Sequence, residues 1–430
     1  MTIIRILLLF LIVFVTAAIM YKLLEKRAAI MRASREGLST SSPDYAKVTA
    51  SIASAKINQQ QMPIAILNSS EELMDVPINQ FMIKASANSA YSNDYISDDM
   101  LMYVCSRGVR YLDFEVYYLK DESGTGAYNA YVGYSSDTSS VSPTIRNIEN
   151  VTFQHLLQKA LDYSFSAGGS ACPNPDDPLF IKIRTKCNAV DLAKLMTLIN
   201  DDILYCYNNG YSNYFYIDKN INNFITQTST QTQTIDSKIH SIKPIIKNNK
   251  QSFKLSGRRL TNKTTLGDLR RKVVFIFTED NTTTKLLAHA KDMPPTVFHN
   301  MTTAVDGDFA GLLGTSYLYI NNSPPSPPIQ RTVTTTMNAD KFYEVYPDEN
   351  VTGQANPDIY PIIQNYGYQI VQMQYYSPDS FLLVYETLFN NYSAGLVPVT
   401  YCMSFARLYG NAREMNLGIK SFMRLGGILI

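Results

Sequence analysis

Short runs of apolar residues alternate with amphipathic segments along most of the chain. Seven apolar runs predict strands, at residues 80–84, 109–118, 130–134, 178–184, 272–277, 368–374 and 395–401. Three segments have the apolar spacing of helices, at residues 153–165, 189–207 and 380–389. Because the strands are apolar throughout rather than alternating, we expect a parallel sheet covered by helices on its outer face. A closed barrel and a doubly wound sheet both fit this order.

The longest apolar run lies at the N-terminus, where residues 6–21 are all apolar or small. A helix of about 20 residues crosses a hydrocarbon core, whereas the apolar region of a cleaved signal peptide is typically about 7–15 residues. We therefore predict an N-terminal transmembrane helix that contacts the lipid through residues 3–21. Basic residues dominate the flank that follows and predict a single-pass protein with its main domain on the cytoplasmic side; they are Lys22, Lys26, Arg27, Arg32 and Arg35.

Composition changes divide the rest of the chain. Residues 1–35 form the anchor with its basic flank, and residues 36–73 read as a polar stalk. We predict one domain over residues 74–402, with an inserted loop at about 220–262 and a Pro-rich loop at 321–330, where two Pro pairs exclude helix and central strand. Residues 403–430 form a C-terminal tail whose apolar spacing suits an amphipathic helix.

The charge and the reactive residues exclude several classes of function. The 430 residues include 38 basic and 37 acidic side chains, so no global field favours a nucleic-acid partner. The five cysteines have no CxxC spacing and the four histidines have no metal-binding spacing, so we predict neither a metal nor a cofactor. The chain is rich in Asn, Ile and Thr and has 30 Tyr and no Trp, a usage expected from an AT-rich genome such as that of a large DNA virus.

Polar residues at the ends of three predicted strands form the candidate site. Asp113 and Glu115 are two positions apart on one strand, so both face the same side, here the barrel interior. Two interior carboxylates repel each other and need a counter-ion, either a metal or a guanidinium such as that of Arg184. Asn88 follows the first strand and Arg184 lies on the fourth, so we expect all four side chains to converge at one mouth.

Four stretches of the sequence resemble motifs of the phosphatidylinositol-specific phospholipase C family. MDVPINQFMIKASANSAYS is similar to its first motif, a proline-led strand that ends in Ser-Ser-His-Asn-Thr-Tyr, and SRGVRYLDFEVYY is similar to its second. TTLGDLRRKVVFIF resembles the element that opens the fifth strand, and YGYQIVQMQYYSPDSFLLVYETLFNNYSAGLVPVTY resembles the closing portion. The resemblance runs from about Met74 to about Tyr401. It implies an α/β fold of the TIM-type (β/α) barrel, regular or distorted, here preceded by the transmembrane helix.

The resemblance also implies which residues occupy the family's calcium site. That family cleaves a phosphodiester beside a calcium ion, usually held by Asn, Glu, Asp and Glu. Three of these places are filled conservatively, by Asn88, Asp113 and Glu115. Arg184 stands at the fourth and replaces a ligand with a cation, so we predict that it serves as a built-in counter-ion in place of calcium.

The two catalytic histidines that the resemblance implies are missing from their positions. Ala87 stands where the first would stabilise the transition state, and Tyr134 lies where the second would act as general acid. A histidine suits this work because its pKa lies near neutrality, and general acid–base catalysis contributes roughly 10²–10⁴-fold. We therefore predict no catalytic residues and a degenerate pocket.

These features predict a membrane-anchored, catalytically inactive phospholipase C-like barrel that acts as a structural or binding protein. Its partners would be the lipid membrane and other proteins, and the concrete form is a minor capsid component of a virion, linking an inner membrane to the protein shell. The alternative is an active phosphoinositide phosphodiesterase with relocated groups, for which His299 and Tyr134 are the candidates. A third possibility is the binding of lipid or phosphate without turnover.

Overall fold

A computed structural model describes the main part of the predicted domain. The described residues all lie within the compact unit Ser51–Ile430. They are residues 73–92, 95–120, 127–135, 151–165, 172–188, 190–217, 258, 260–278, 301–303, 311–316, 342–348, 354–392 and 394–414. The predicted anchor, the stalk before residue 73, the Pro-rich loop and most of the inserted loop lie outside these ranges. Within them, no helix is both long enough and apolar enough to cross a membrane.

The described elements follow the predicted alternation of strands and helices. The strands are β1 (Phe81–Ser86), β2 (Tyr91–Ser92), β3 (Tyr95–Ile96), β4 (Tyr111–Lys120), β5 (Tyr128–Gly133), β6 (Val151–Thr152), β7 (Leu179–Lys186), β8 (Val273–Thr278), β9 (Met301–Thr303), β10 (Gly311–Ser316), β11 (Phe342–Tyr346), β12 (Ile370–Met373) and β13 (Leu396–Pro398). The longer helices are α1 (Asp98–Ser106), α2 (Phe153–Phe165), α3 (Leu192–Cys206), α4 (Ser380–Asn391) and α5 (Val399–Glu414). Short helical turns lie at Ile78–Gln80, Tyr207–Tyr211, Ser212–Tyr214, Gly267–Leu269, Ile359–Pro361 and Ile362–Tyr366.

Parallel pairing joins eight of these strands into one central sheet of a mixed α/β fold. Their order is β1, β12, β11, β10, β9, β8, β7 and β4, and each neighbouring pair is parallel. β4 pairs in turn with β1 through Tyr111 and Ala85, so the pairing returns to the strand where it began. This order is consistent with the predicted barrel. The predicted strand 130–134 is β5. It runs antiparallel to the second half of β4, from Glu115 to Lys120, and pairs with β6 on its other edge.

A short strand, β13, pairs with the first half of β1. β13 runs antiparallel to the first half of β1, pairing Leu396 with Ile83 and Pro398 with Phe81, which leaves β4 a single bridge to β1. The strand predicted over residues 395–401 is therefore too long. Pro398 has no backbone N–H and ends the ladder, and α5 begins at the next residue. The domain boundary predicted at residue 402 falls inside this helix.

Large apolar side chains fill the sheet's interior near the N-terminal ends of its strands. Phe180, Phe342 and Ile370 are at most 1 % exposed and belong to one apolar cluster. Further along the same strands the interior positions become polar, because Lys182, Glu344 and Gln372 each follow two residues later. The alternation of strand side chains places them on the same face as the apolar layer. The sequence therefore directs charged groups into the interior toward the C-terminal ends of the strands.

Candidate functional site

Arg184 lies between two carboxylates of the neighbouring strand β4. Its Nε donates to Oδ1 of Asp113 at 2.8 Å and its Nη2 donates to Oδ2 at 2.7 Å, a bidentate contact. Its Nη1 donates to Oε1 of Glu115 at 2.5 Å, and Nη2 also donates to Oδ1 of Asn88 at 2.6 Å. Both carboxylate side chains are at most 2 % exposed and that of Arg184 is 12 % exposed. The structure thus brings these four residues together in one buried contact.

The backbone after β1 is shaped to present Asn88 to this contact. Asn88 has φ +43°, in the left-handed region that Asn tolerates better than most residues. Its N–H donates to Oδ2 of Asp113 at 3.0 Å. The next residue, Ser89, donates its N–H to the carbonyl of Asp113 and accepts the N–H of Asp113 on its hydroxyl. These bonds fasten the turn to β4, so the amide oxygen of Asn88 is held toward the guanidinium.

The second oxygen of Glu115 is occupied by two donors. The phenol of Tyr117 donates to Oε2 at 2.6 Å, and the backbone N–H of Ser135 donates to the same atom at 3.1 Å. Burial raises the pKa of Tyr117, and the Glu115 carboxylate raises it further, so the phenol keeps its proton and remains a donor. Sequence analysis did not identify Tyr117 or Ser89. The i, i+2 spacing of Tyr117 after Glu115 is a signal that places both on one face of β4.

Electrostatics keep the carboxylate of Asp113 ionised. Burial alone raises its pKa, but the charge and hydrogen bonds of Arg184 outweigh burial, and Lys182 adds to their effect. The net result is a pKa below the ordinary value of 3.8. Arg184 and Asp113 are therefore both charged near neutral pH, as expected for a bidentate buried pair.

Three tyrosines pack together beside this contact, and one of them, Tyr376, is hydrogen-bonded to Asn88. The ring centroids of Tyr91 and Tyr134 are 4.3 Å apart, and Tyr376 lies 5.0 Å from Tyr91 and 6.2 Å from Tyr134. Tyr91 is 8 % exposed, and the other two are partly buried. Burial raises the pKa of Tyr376 well above its ordinary value. The predicted residue Tyr134 therefore lies at the site, inside a group of packed rings whose other two members sequence analysis did not identify.

The positions that the family resemblance assigns to histidines hold no imidazole. Ala87 is 1 % exposed and offers no side-chain proton carrier, and its N–H donates to the carbonyl of Met373. The one histidine among the described residues, His155, lies on α2, where its Nε2 is 2.8 Å from Oδ2 of Asp98 on α1. His299, the candidate for a relocated catalyst, lies outside the described residues.

A second polar contact lies deeper in the interior. Glu344 of β11 accepts from the Lys182 ammonium at 2.6 Å, the Tyr111 hydroxyl at 2.8 Å and the Gln372 amide at 2.9 Å. Glu344 is 1 % exposed. Sequence analysis did not predict this contact, because strand spacing identifies the face of a residue but not its partner across the sheet.

The donor set does not fit the calcium ion that the family resemblance implies. Asn88 Oδ1, both Asp113 oxygens and Glu115 Oε1 accept hydrogen bonds from the guanidinium, and Glu115 Oε2 accepts from Tyr117 and Ser135. In the part of the chain that the structure describes, no group of three or more His, Cys, Asp or Glu side chains is arranged to hold a metal. The cation at this position is the guanidinium of Arg184, which belongs to the chain itself.

Comparison with known proteins gives matches among solved structures. No family model matches the chain, and no curated protein matches it. PLC21 of L. pealei has 12 % identity and a TM-score of 0.47, over 79 % of this chain and 39 % of that protein, so the chain spans well under half of its length. A calcium-dependent phosphoinositol-specific phospholipase C from a Pseudomonas sp. has 9 % identity and a TM-score of 0.40, over 76 % of this chain and 97 % of the enzyme. A calcium-dependent phosphatidylinositol-specific phospholipase C from Streptomyces antibioticus has 10 % identity and a TM-score of 0.36, over 75 % and 99 %. These phospholipases C are what the chain is similar to among solved structures, at 9–12 % identity and with TM-scores of 0.36–0.47.

Proposed function

We propose that this protein is a catalytically inactive phospholipase C-like barrel that acts as a structural or binding protein. The observation that carries the proposal is the set of hydrogen bonds from Arg184 to Asn88, Asp113 and Glu115. In that arrangement the oxygens suited to a metal are engaged by a permanent cation, since a guanidinium does not lose its proton in proteins. A cation is therefore already built in between the two carboxylates.

The groups around Arg184 are poor proton carriers near neutral pH. Burial raises the pKa of Tyr117 and that of Tyr376, while the pKa of Asp113 lies below its ordinary value. A general acid or base works best when its pKa lies near the operating pH. Ala87 contributes no titratable group at the place that the family resemblance assigns to a histidine. Hydrolysis of a phosphodiester at this mouth would therefore lack acid–base assistance from these residues.

The rest of the proposal concerns architecture and location. The cyclic order of the parallel strands supports a TIM-type barrel, distorted where β1 and β4 share a single bridge and β13 pairs with the first half of β1. We retain the N-terminal segment as a single-pass anchor through residues 3–21, with the barrel on the cytoplasmic side. The AT-rich residue usage supports a virion component that links an inner membrane to a shell protein.

A turnover assay tests the inactivity of the pocket. Full-length protein in mixed micelles is incubated with phosphatidylinositol, with calcium or with a chelator, and the release of inositol phosphates is measured. A calcium-dependent bacterial enzyme serves as the positive control. We expect no release above the rate without protein under either condition.

Two variants make the result decisive. Turnover that Asp113→Asn abolishes would overturn the proposal and place a working site at this mouth. Turnover that His299→Ala abolishes while the protein stays folded would support the relocated phosphodiesterase instead. Substitution of His155, which is paired with Asp98 on the helices, is the matched control.

A further inference from the structure

The positive charge of this chain is concentrated in one segment. Residues 243–272 contain ten Lys or Arg and one Asp, a net charge of +9, whereas the whole chain has +1. The remaining residues therefore carry a net charge of −8. A block of like charge is usually a solvated surface, so its significance depends on where the fold places its described part.

The described part of this segment forms an exposed surface, here called the basic face and defined as Arg258, Lys263, Arg270 and Arg271. Arg258 and Lys263 are exposed, and the side chains of Arg270 and Arg271 are 52 % and 42 % exposed. Among the described residues, the carboxylates of this segment and of the chain hydrogen-bonded to it are Asp176, which contacts both Arg270 and Arg271, and the exposed Asp268 and Asp75, three against four basic residues. The basic face thus keeps a net positive charge.

Aromatic contacts fix two of these arginines to the body of the domain. The Arg258 guanidinium carbon lies 5.3 Å from the ring centroid of Tyr216, and that of Arg271 lies 5.8 Å from Tyr214. Arg271 also has φ +55°, a left-handed conformation that is strained for a residue with a long side chain. Strained backbone persists where the surroundings hold it, and it occurs often at functional surfaces. The charges of the basic face are therefore held in place by the fold.

The basic face lies at the end of the sheet opposite the Arg184 site. The N–H of Leu179, the first residue of β7, donates to the carbonyl of Lys272, which directly follows the basic face. Arg184 lies five residues further along β7, about 16 Å away at the usual rise of a strand. The two surfaces thus occupy opposite ends of the same parallel strands.

The N-terminal side of the described chain runs along this same end. The N–H of Gly267 donates to the carbonyl of Met74, that of Leu266 donates to Val76, and that of Ile78 donates to Thr264. The described residues that lead back toward the predicted anchor are therefore hydrogen-bonded to the basic segment.

We propose that the basic face docks on the anionic lipid surface of the membrane that carries the anchor, with the Arg184 mouth directed away from the lipid. This inference rests on the proposed anchor. The cytoplasmic leaflet is negatively charged and attracts basic residues close to it. A lipid-cleaving enzyme needs its mouth at the lipid, so this orientation agrees with a barrel that has lost catalysis and exposes its mouth side to protein partners.

Lysine footprinting on the full-length protein tests the orientation. The protein is bound to vesicles of phosphatidylcholine alone, or of phosphatidylcholine with phosphatidylserine, and is briefly acetylated before mass spectrometry. We expect Lys263 to be protected only on the anionic vesicles and to lose that protection at high salt. Lys120 and Lys194, near the C-terminal ends of the strands, should react equally on both vesicles.

Charge-removal variants supply a matched comparison. Arg258→Gln with Arg270→Gln should reduce the salt-sensitive protection of Lys263 by about fivefold per charge removed, since each basic residue near an anionic surface contributes about that factor. Lys120→Gln with Lys194→Gln removes the same charge from the other end and should leave the protection unchanged. The salt titration of the unchanged protein remains decisive if either variant fails to fold.

The outcomes separate this inference from the anchor. If alkaline carbonate extracts the protein from both kinds of vesicle, the anchor proposal fails. If the protein stays bound but Lys263 reacts equally on both, only the docking proposal fails. Protection of Lys263 by an oligonucleotide but not by anionic vesicles would also overturn it and identify a nucleic-acid surface.

Discussion

Lys182 of β7 and Glu344 of β11 form an ion pair, with Nζ 2.6 Å from Oε1, although three strands lie between them in either direction around the sheet. The pair therefore crosses the interior rather than following the hydrogen-bonding direction of neighbouring strands. Both side chains are at most 3 % exposed. Such a pair connects opposite sides of the sheet, so its loss should lower the unfolding free energy of the domain.

The first prediction concerns this pair. Lys182→Met leaves the Glu344 carboxylate buried without its cation, which costs about 3–5 kcal/mol of unfolding free energy for a buried pair. The double variant Lys182→Met with Glu344→Leu removes both charges, so we expect it to be more stable than the single variant. Denaturant unfolding monitored by circular dichroism measures both.

The surface pair of Lys194 and Asp191 is the control for that prediction. The side chain of Lys194 is 60 % exposed, so Lys194→Met should change the unfolding free energy far less than Lys182→Met does. A Lys182→Met protein as stable as the Lys194→Met protein would show that the buried pair does not hold the interior together.

The second prediction concerns the cation at the mouth. Arg184→Ala leaves Asp113 and Glu115 facing each other without the guanidinium, so the variant should lose about 3–5 kcal/mol, as expected for one partner of a buried ion pair. A calcium ion suits a site of carboxylate and amide oxygens. Calcium should therefore raise the melting temperature of Arg184→Ala and leave that of the unchanged protein where it was.

Combining Arg184→Ala with Asp113→Asn provides the control for calcium. The double variant has one carboxylate fewer and less repulsion, so it should be more stable without calcium and should respond less to it. Equal calcium responses of the unchanged protein and Arg184→Ala would contradict the built-in counter-ion.

These contacts show how much of the site the sequence could predict. Strand alternation places Asp113 and Glu115 on one interior face, and the need of two carboxylates for a cation leads to Arg184. The helix predicted over residues 153–165 is α2, and β1, β4, β7 and β8 begin and end within two residues of the predicted runs. These successes concern local periodicity and neighbouring strands.

The features that sequence analysis missed depend on long-range geometry. Glu344 and Lys182 are 162 residues apart, and Glu386 binds Arg107 from 279 residues away. A charged residue inside an apolar run indicates burial but not its partner. The strand predicted over residues 395–401 is β13, but its end was misplaced, because the apolar run does not show that Pro398 ends one element and Val399 begins the next.

The third prediction concerns pH and Asp202 on α3. Burial, together with the nearby carboxylate of Asp201, raises the pKa of Asp202 from 3.8 to about 7 in the folded protein. Between about pH 4 and pH 7 the Asp202 carboxyl is ionised in the unfolded chain but still protonated in the folded protein. The free energy of unfolding should therefore fall as the pH rises from about 4 to about 7. Asp202→Asn removes this loss and can still accept the hydrogen bond from the backbone N–H of Gln154.

Unfolding midpoints measured at pH 5 and pH 8 check this effect. Asp202→Asn should be more stable than the unchanged protein at pH 8, with a smaller difference at pH 5. Asp201→Asn should give a weaker change in the same direction, because it removes only the neighbouring charge. A variant Asp202→Asn that is less stable at pH 8 would contradict the raised pKa.

The fourth prediction tests the place where the chain entering β13 packs against the residues that precede β4. A Cβ on Gly395 would sit 2.7 Å from the backbone carbonyl oxygen of Gly108 and 3.0 Å from Cγ of Arg110. Because the carbonyl belongs to the backbone, the methyl group cannot be accommodated by a side-chain rotation alone. Gly395→Ala should therefore displace β13 and cost about 3 kcal/mol, the upper end of the usual range for overpacking.

Gly210→Ala is the comparison for this prediction. Among the described residues, no atom lies within 4 Å of the position that a methyl group would take at Gly210, and only its φ of +102° opposes the change. It should cost about 1–2 kcal/mol, the usual penalty of a left-handed conformation. Hydrogen exchange distinguishes the two variants, since displacement of β13 should speed exchange at the amide of Lys84, which bonds to the carbonyl of Gly395. If Gly395→Ala leaves that amide as protected as Gly210→Ala does, the close contact at Gly395 does not hold β13 against β1.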